Sequence, residues 1–203
     1  MKNALLIVFL FVGFNIDAQN SFIKDVKDYQ YKENLRFHNS KTSPLSAKDL
    51  KTFKALEFYT IDKKYNIVAK LVKEENPVIF EMPTTTSRKP LYIKYGTLTF
   101  TIDGKEQKLS IYQNKDFGRD PQYKNHLFLP FADATNGNGS YGGGRYIDVL
   151  TTDEKADGTV NINFNKSYNP YCAYNNRYSC PLIPKENTLS IAIKAGVKNF
   201  KKH

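Results

Sequence analysis

The sequence contains no tryptophan, and its two cysteines, Cys172 and Cys180, both come late in the chain. With no cysteine before Cys172, lipid attachment at a new N-terminal cysteine is excluded. The three histidines, His38, His126 and His203, lack metal-ligand spacing, and zinc would need two ligands beyond the cysteine pair. No metal and no cofactor is therefore expected. There is no internal repeat and no linker that would split the chain. After the N-terminal segment, no apolar run approaches the roughly 20 residues that a membrane-spanning helix needs.

The N-terminal segment itself reads as a removable leader. Lys2 supplies a positive start, about ten apolar residues from Ala4 to Gly13 follow, and Ile16 and Ala18 fit a signal-peptidase site. The alternatives are a buried core helix or a membrane anchor, and an apolar run this short cannot cross a hydrocarbon core of about 20 residues' span. The expectation is a signal peptide over residues 1–18 and one β-rich domain over 19–203, periplasmic or secreted. A domain of that length buries about two-thirds of its surface. The 14 tyrosines and 14 phenylalanines of the full chain suit a packed β core.

The formal charge of +10 raises nucleic acid or an acidic cell-surface polymer as a partner. The lysines are scattered, however, and the longest basic run is the tail over 198–203. A solvated basic surface is the simpler reading, and an exported protein meets little nucleic acid. The partner expected is instead a small molecule or a cell-surface polymer.

Hydrophobic spacing at Ile23, Val26, Tyr29 or Gln30, Asn34 and Phe37, with charges between, predicts an amphipathic helix over 22–37. Ser46 and Asp49 resemble a capping box that opens a short helix through Leu50 and Phe53. Everything after reads as strands, over 56–61, 65–71, 78–81, 91–102, 108–113, 126–131, 145–150, 160–164 and 189–194. Asp103-Gly104 accepts the positive φ of a tight hairpin between two of them. The fold class is mainly β, an antiparallel β-sandwich or β-barrel with an N-terminal amphipathic helix.

From His126 onward, small, amide, tyrosine and lone charged residues gather. The segments Pro130-Phe131-Ala-Asp133, Thr135-Asn136-Gly137, Tyr141-Gly142, Gly144-Arg145-Tyr146 and Asp148 come first. Phe164-Asn165, Tyr168-Asn169-Pro170, Cys172-Ala173-Tyr174, Cys180-Pro181-Leu182, Pro184, Glu186-Asn187 and Ala195-Gly196 follow. In this order they closely resemble the bacterial family known as domain of unknown function 1684, over the whole mature chain loosely and over 128–196 closely. Asn163, Ile183 and Ser140 depart from the family's usual Asp, Pro and Thr. The resemblance implies no activity.

The residues themselves offer three kinds of chemistry. Cys172 and Cys180, eight apart in an oxidising compartment, are most simply a disulfide; reactive thiols or a metal pair are the alternatives. Asp133 and Asp148 are candidate catalytic carboxylates of a hydrolase, with Arg145 beside them. Against that, Asp133 can cap its turn and Asp148 can pair with a surface group. Arg145, Tyr141, Asn136, Tyr168, Asn169, Tyr174, Glu186 and Asn187 are the candidate ligand-binding set, because a guanidinium fork, amides and tyrosines make a recognition surface. The same residues serve equally to brace an irregular loop, and a structural envelope protein without a ligand is the third reading.

Overall fold

The computed structural model describes residues 3–116 and 120–200, with side chains from residue 19 onward. Helix α1 runs Asn3–His38. The leader expected over 1–18 lies outside the described side chains, and His203 lies outside the described residues. Among the described residues, no helix is long and apolar enough to cross a membrane. The expected seam of α1 is used: Val26 and Phe37 are buried, while Tyr31 and Leu35 face solvent. Lys166 ties the helix to the sheet through Asp25 at 2.8 Å. The short helix α2, Ala47–Thr52, is capped as its sequence indicates, with the Asp49 N–H donating to Ser46 Oγ at 3.1 Å.

Seven strands follow: β1 Asn66–Lys73, β2 Ile79–Glu81, β3 Leu91–Ile102, β4 Lys105–Asn114, β5 His126–Phe131, β6 Arg145–Leu150 and β7 Thr159–Asn163. All belong to one antiparallel sheet of order β6-β5-β4-β3-β1-β7, with β2 added beside β3. The β3–β4 hairpin turns at Asp103 (φ 50°) and Gly104 (φ 71°), the left-handed pair that matches strand twist. The sheet curls until its two ends approach each other. There, Tyr146 of β6 and Tyr168, just past β7, exchange backbone hydrogen bonds of 2.9 and 3.0 Å. The architecture is thus a half-barrel, one curled sheet with an N-terminal helix, rather than two facing sheets.

Alternation along the strands sorts their side chains into two layers. Leu98, Leu109, Ile111, Leu129, Phe131, Ile147 and Ile162 fill the inside of the curl, where Leu189, Ile193 and Ala195 plug it. The opposite face of β4, β5 and β6 carries Tyr112, Phe128 and Tyr146, packed with Tyr92 and Met82. Phe37 of α1 meets Phe53, Leu56 and Tyr174 in a third cluster.

Two expected strands are corrected. Residues 56–61 make a single bridge, Phe58 to Val197, and 189–194 form no ladder. Their apolar residues are real core residues, but each segment crosses the end of the curl once. Single bonds hold it, such as Ala134 N–H to Ile191 O at 3.0 Å. Periodicity reports burial and cannot tell a plug from a strand.

Candidate functional site

The family motif converges on Arg145. This side chain is fully buried at the start of β6, and its guanidinium donates to Asp133 Oδ2 at 2.7 Å and to the Ile193 carbonyl at 2.8 Å. It also donates to the Ala195 carbonyl. The Arg145 Nε is buried without a hydrogen-bond partner, whereas the other oxygen of Asp133 accepts from Thr135 N–H at 2.8 Å and Ile193 N–H at 3.1 Å. Gly196 completes the knot: its φ is +74°, and a Cβ there would lie 2.7 Å from the Phe164 carbonyl. Arg145 therefore ties the segments around 133, 145 and 193–197 together, and its fork has no face toward solvent. Its assignment as a ligand-binding residue is corrected to an internal anchor.

The carboxylate pair is not brought together. Residues 145, 147 and 149 of β6 point inward, so Asp148 projects from the opposite face, half-exposed, while Asp133 stays with Arg145 inside. A hydrolytic pair needs both acids flanking one bond, at roughly 5–9 Å. The curled sheet stands between these two.

Most of the other expected ligand-binding residues are structural in this fold. Asn187, fully buried, accepts from Ser110 N–H at 2.8 Å and donates to the Ser110 and Pro130 carbonyls at 2.7 and 2.6 Å. It substitutes for a ladder where β4 and β5 pair only at Tyr112 and Phe128. Asn169 holds the Lys198 carbonyl at 2.9 Å and the Tyr174 hydroxyl at 3.3 Å, and Tyr174 packs on Phe37. Asn136 closes its own turn by accepting from Asp133 N–H. Glu186 accepts from the Tyr112 hydroxyl at 2.7 Å beside a separate groove of about 470 Å³.

The expected disulfide is also corrected: Cys172 and Cys180 are free thiols. The Cys172 N–H donates to Cys180 Sγ at 3.1 Å, and the Tyr141 hydroxyl lies 4.0 Å from Cys172 Sγ. The loop thus sets the two cysteine side chains against each other. Donation from the Cys180 thiol, aided by Tyr141 and opposed by burial, lowers the Cys172 pKa to about 6. Cys180, donating and buried, is pushed up.

A cavity of about 560 Å³ lies on the outer face of the sheet, under α1. Tyr29, Glu33 and Arg36 of α1 roof it; Tyr92, Phe128 and Tyr146 form its floor, and Tyr168, Tyr171, Tyr178 and Ser179 its far wall. Asp148 projects into it, with Oδ1 taking the Tyr168 hydroxyl at 2.6 Å and the His126 Nε2 at 2.9 Å. Arg36 is committed to Glu33 and to the Tyr171 hydroxyl. Arg88, at the rim, spends one nitrogen on the Ser179 carbonyl at 3.1 Å. Of the residues expected to bind ligand, only Tyr168 lines this space, joined by Asp148 from the carboxylate pair. Tyr29, Arg36, Arg88 and Tyr92 escaped the sequence reading. Their one signal was the tyrosine-rich composition.

A family model for the protein of unknown function DUF1684 matches residues 51–198. Comparison with curated proteins gives no match. Among solved structures, the chain is similar to the solution NMR structure of an uncharacterized protein of Haloarcula marismortui, at 28% identity and a TM-score of 0.70. The match covers 92% of this chain and 99% of that one.

Proposed function

The chain belongs to DUF1684, a family of proteins of unknown function, and we propose that it is an exported protein that binds a small molecule in the cavity under α1. One observation carries the reading: seven aromatic rings and an oriented carboxylate, Asp148, converge on about 560 Å³ of open space. Small-molecule sites have this size and this mixture of apolar wall and few polar groups. The polar groups are also held in place rather than free to rotate. Tyr146 gives its hydroxyl to the Pro181 carbonyl, and Tyr168 gives its own to Asp148. Such prior fixing lowers the entropy lost on binding.

Export rests on the leader pattern of residues 1–18 alone. Intact mass of the protein recovered from the periplasm or medium tests it, with Gln19 expected as the first residue. Binding is tested by a small-molecule screen on isotope-labelled protein. Ligands are expected to shift the Tyr146, Asp148 and Ser179 amides together; a screen that leaves all three in place overturns the reading.

A further inference from the structure

The charges and rings of this cavity are not distributed evenly. Phe128 and Tyr146 meet at 4.7 Å and 73°, Tyr146 and Tyr168 at 5.8 Å and 86°. Successive rings therefore turn by nearly a right angle and form a corner. Asp148 sits two residues from Tyr146 on the same face of β6, and its carboxylate is held at that corner by Tyr168. The field it casts reaches the surrounding rings: burial pushes the Tyr29, Tyr92 and Tyr168 phenols up, and the Asp148 charge adds to each. The Glu33 charge is answered by Arg36 within α1. Asp148, hydrogen-bonded by Tyr168 and by His126 Nε2 at 2.9 Å, is the carboxylate of this corner.

Arg88 brings a positive charge to the same lining. Arg88 lies beside Ser179 and Cys180, and no ion pair involves it among the described residues. Elsewhere in the same wall, rings already take the protein's own cations. Arg36 stands 5.2 Å over Tyr171, Arg177 4.8 Å over Tyr178 and Lys166 5.9 Å over Tyr29. Among the described residues, no side-chain cation stands over Phe128, Tyr146 or Tyr168.

Resting on the binding reading above, we propose that the cavity takes a zwitterion: a methylated ammonium in the Phe128–Tyr146–Tyr168 corner beside Asp148, and a carboxylate or phosphate at Arg88. A ring corner offers π faces and few acceptors. It suits a weakly hydrated methylated ammonium better than a primary one, whose N–H donors would lose water without replacement. The guanidinium fork suits either planar or tetrahedral oxyanions.

Titration calorimetry with four probes, choline among them, tests this. Glycine betaine and phosphocholine carry the two anionic groups, and tert-butylacetate replaces the ammonium nitrogen of betaine by carbon. At least one zwitterion is expected to bind about tenfold or more tightly than tert-butylacetate, and which one identifies the anion. Asp148→Asn is expected to abolish that preference. Arg88→Ala is expected to weaken the zwitterion while leaving choline unchanged. Both variants keep exposed positions and are checked by melting temperature. Binding of both zwitterions no tighter than tert-butylacetate, or a preference that survives Asp148→Asn, overturns the proposal. If other molecules shift the Tyr146 amide while neither zwitterion does, this assignment falls and the cavity remains a binding site. If nothing shifts it, both fall.

Discussion

Asp133 and Arg145 form an ion pair of 2.7 Å with both side chains at 0% exposure. Removing either partner leaves the other charged, buried and unmatched, which typically costs about 3–5 kcal/mol. The residues that resemble a binding motif in the sequence therefore close the fold, and the cavity stands on the other side of the sheet they secure.

Arg145→Ala is expected to lower stability by about that amount, and Arg145→Lys to recover only part of it. An ammonium cannot span Asp133 and the carbonyls of Ile193 and Ala195 with the guanidinium's fixed fork. Chemical denaturation measures both. A melting curve unchanged by Arg145→Ala would refute the anchor role.

Asn187 makes a separate prediction. Its amide pairs with both backbone groups of Ser110 and reaches Pro130 across the splayed β4–β5 junction. Asn187→Leu keeps the branching at Cγ, with a somewhat larger side chain, yet leaves a buried N–H and two carbonyls without partners. A loss of about 3 kcal/mol is expected, at 1–3 kcal/mol for each orphaned group with some relaxation. Asn187→Asp should be as harmful, since a carboxylate cannot donate to the two carbonyls. Equilibrium unfolding of the two variants checks the order, and a neutral Asn187→Leu would show that the junction closes without it.

Much of the sheet was legible because its signals are local. Asp103-Gly104 specifies its turn, and β5 and β6 end where their alternation ends. The Arg145 knot was visible as a cluster of unusual residues, but an arginine next to glycines and an aspartate reads alike as a ligand fork and as an anchor. Burial decides between them, and burial here depends on 193–197 folding back. The cavity was illegible for a different reason. Tyr29, Glu33 and Arg36 look like the side of an amphipathic helix, and Tyr92 and Tyr146 like ordinary strand residues. Only the curl of the sheet and the return of 168–181 bring them to one space.

The cavity tyrosines should also govern alkaline stability. Burial, followed by carboxylate charge, raises the Tyr29 and Tyr168 phenols, and burial above all raises Tyr146. Folded pKa values above the unfolded value of about 10 mean that stability is complete below that pH and declines as pH rises past it. These buried phenols should ionise only with unfolding. Phenolate absorbance and circular dichroism, followed together, should show a late absorbance step coincident with loss of structure. A single smooth titration at ordinary pKa with structure retained would contradict the burial.

The thiols give the sharpest chemical test of the 168–181 loop. Cys172 is half-buried with a pKa lowered to about 6, whereas Cys180 is buried and raised. The thiolate is the nucleophile, so alkylation of Cys172 by iodoacetamide should rise with pH through about 6 and level off well before an ordinary thiol, near 8.5, would. Cys180 should react only after unfolding. Cys180→Ala removes the main donor to Cys172, so its reactivity profile should move to higher pH, while Tyr141→Phe moves it less. Peptide mass mapping assigns each adduct. Equal reactivity of the two cysteines, or a profile unmoved by Cys180→Ala, would refute the hydrogen-bonded pair and with it the arrangement of the loop that walls the cavity.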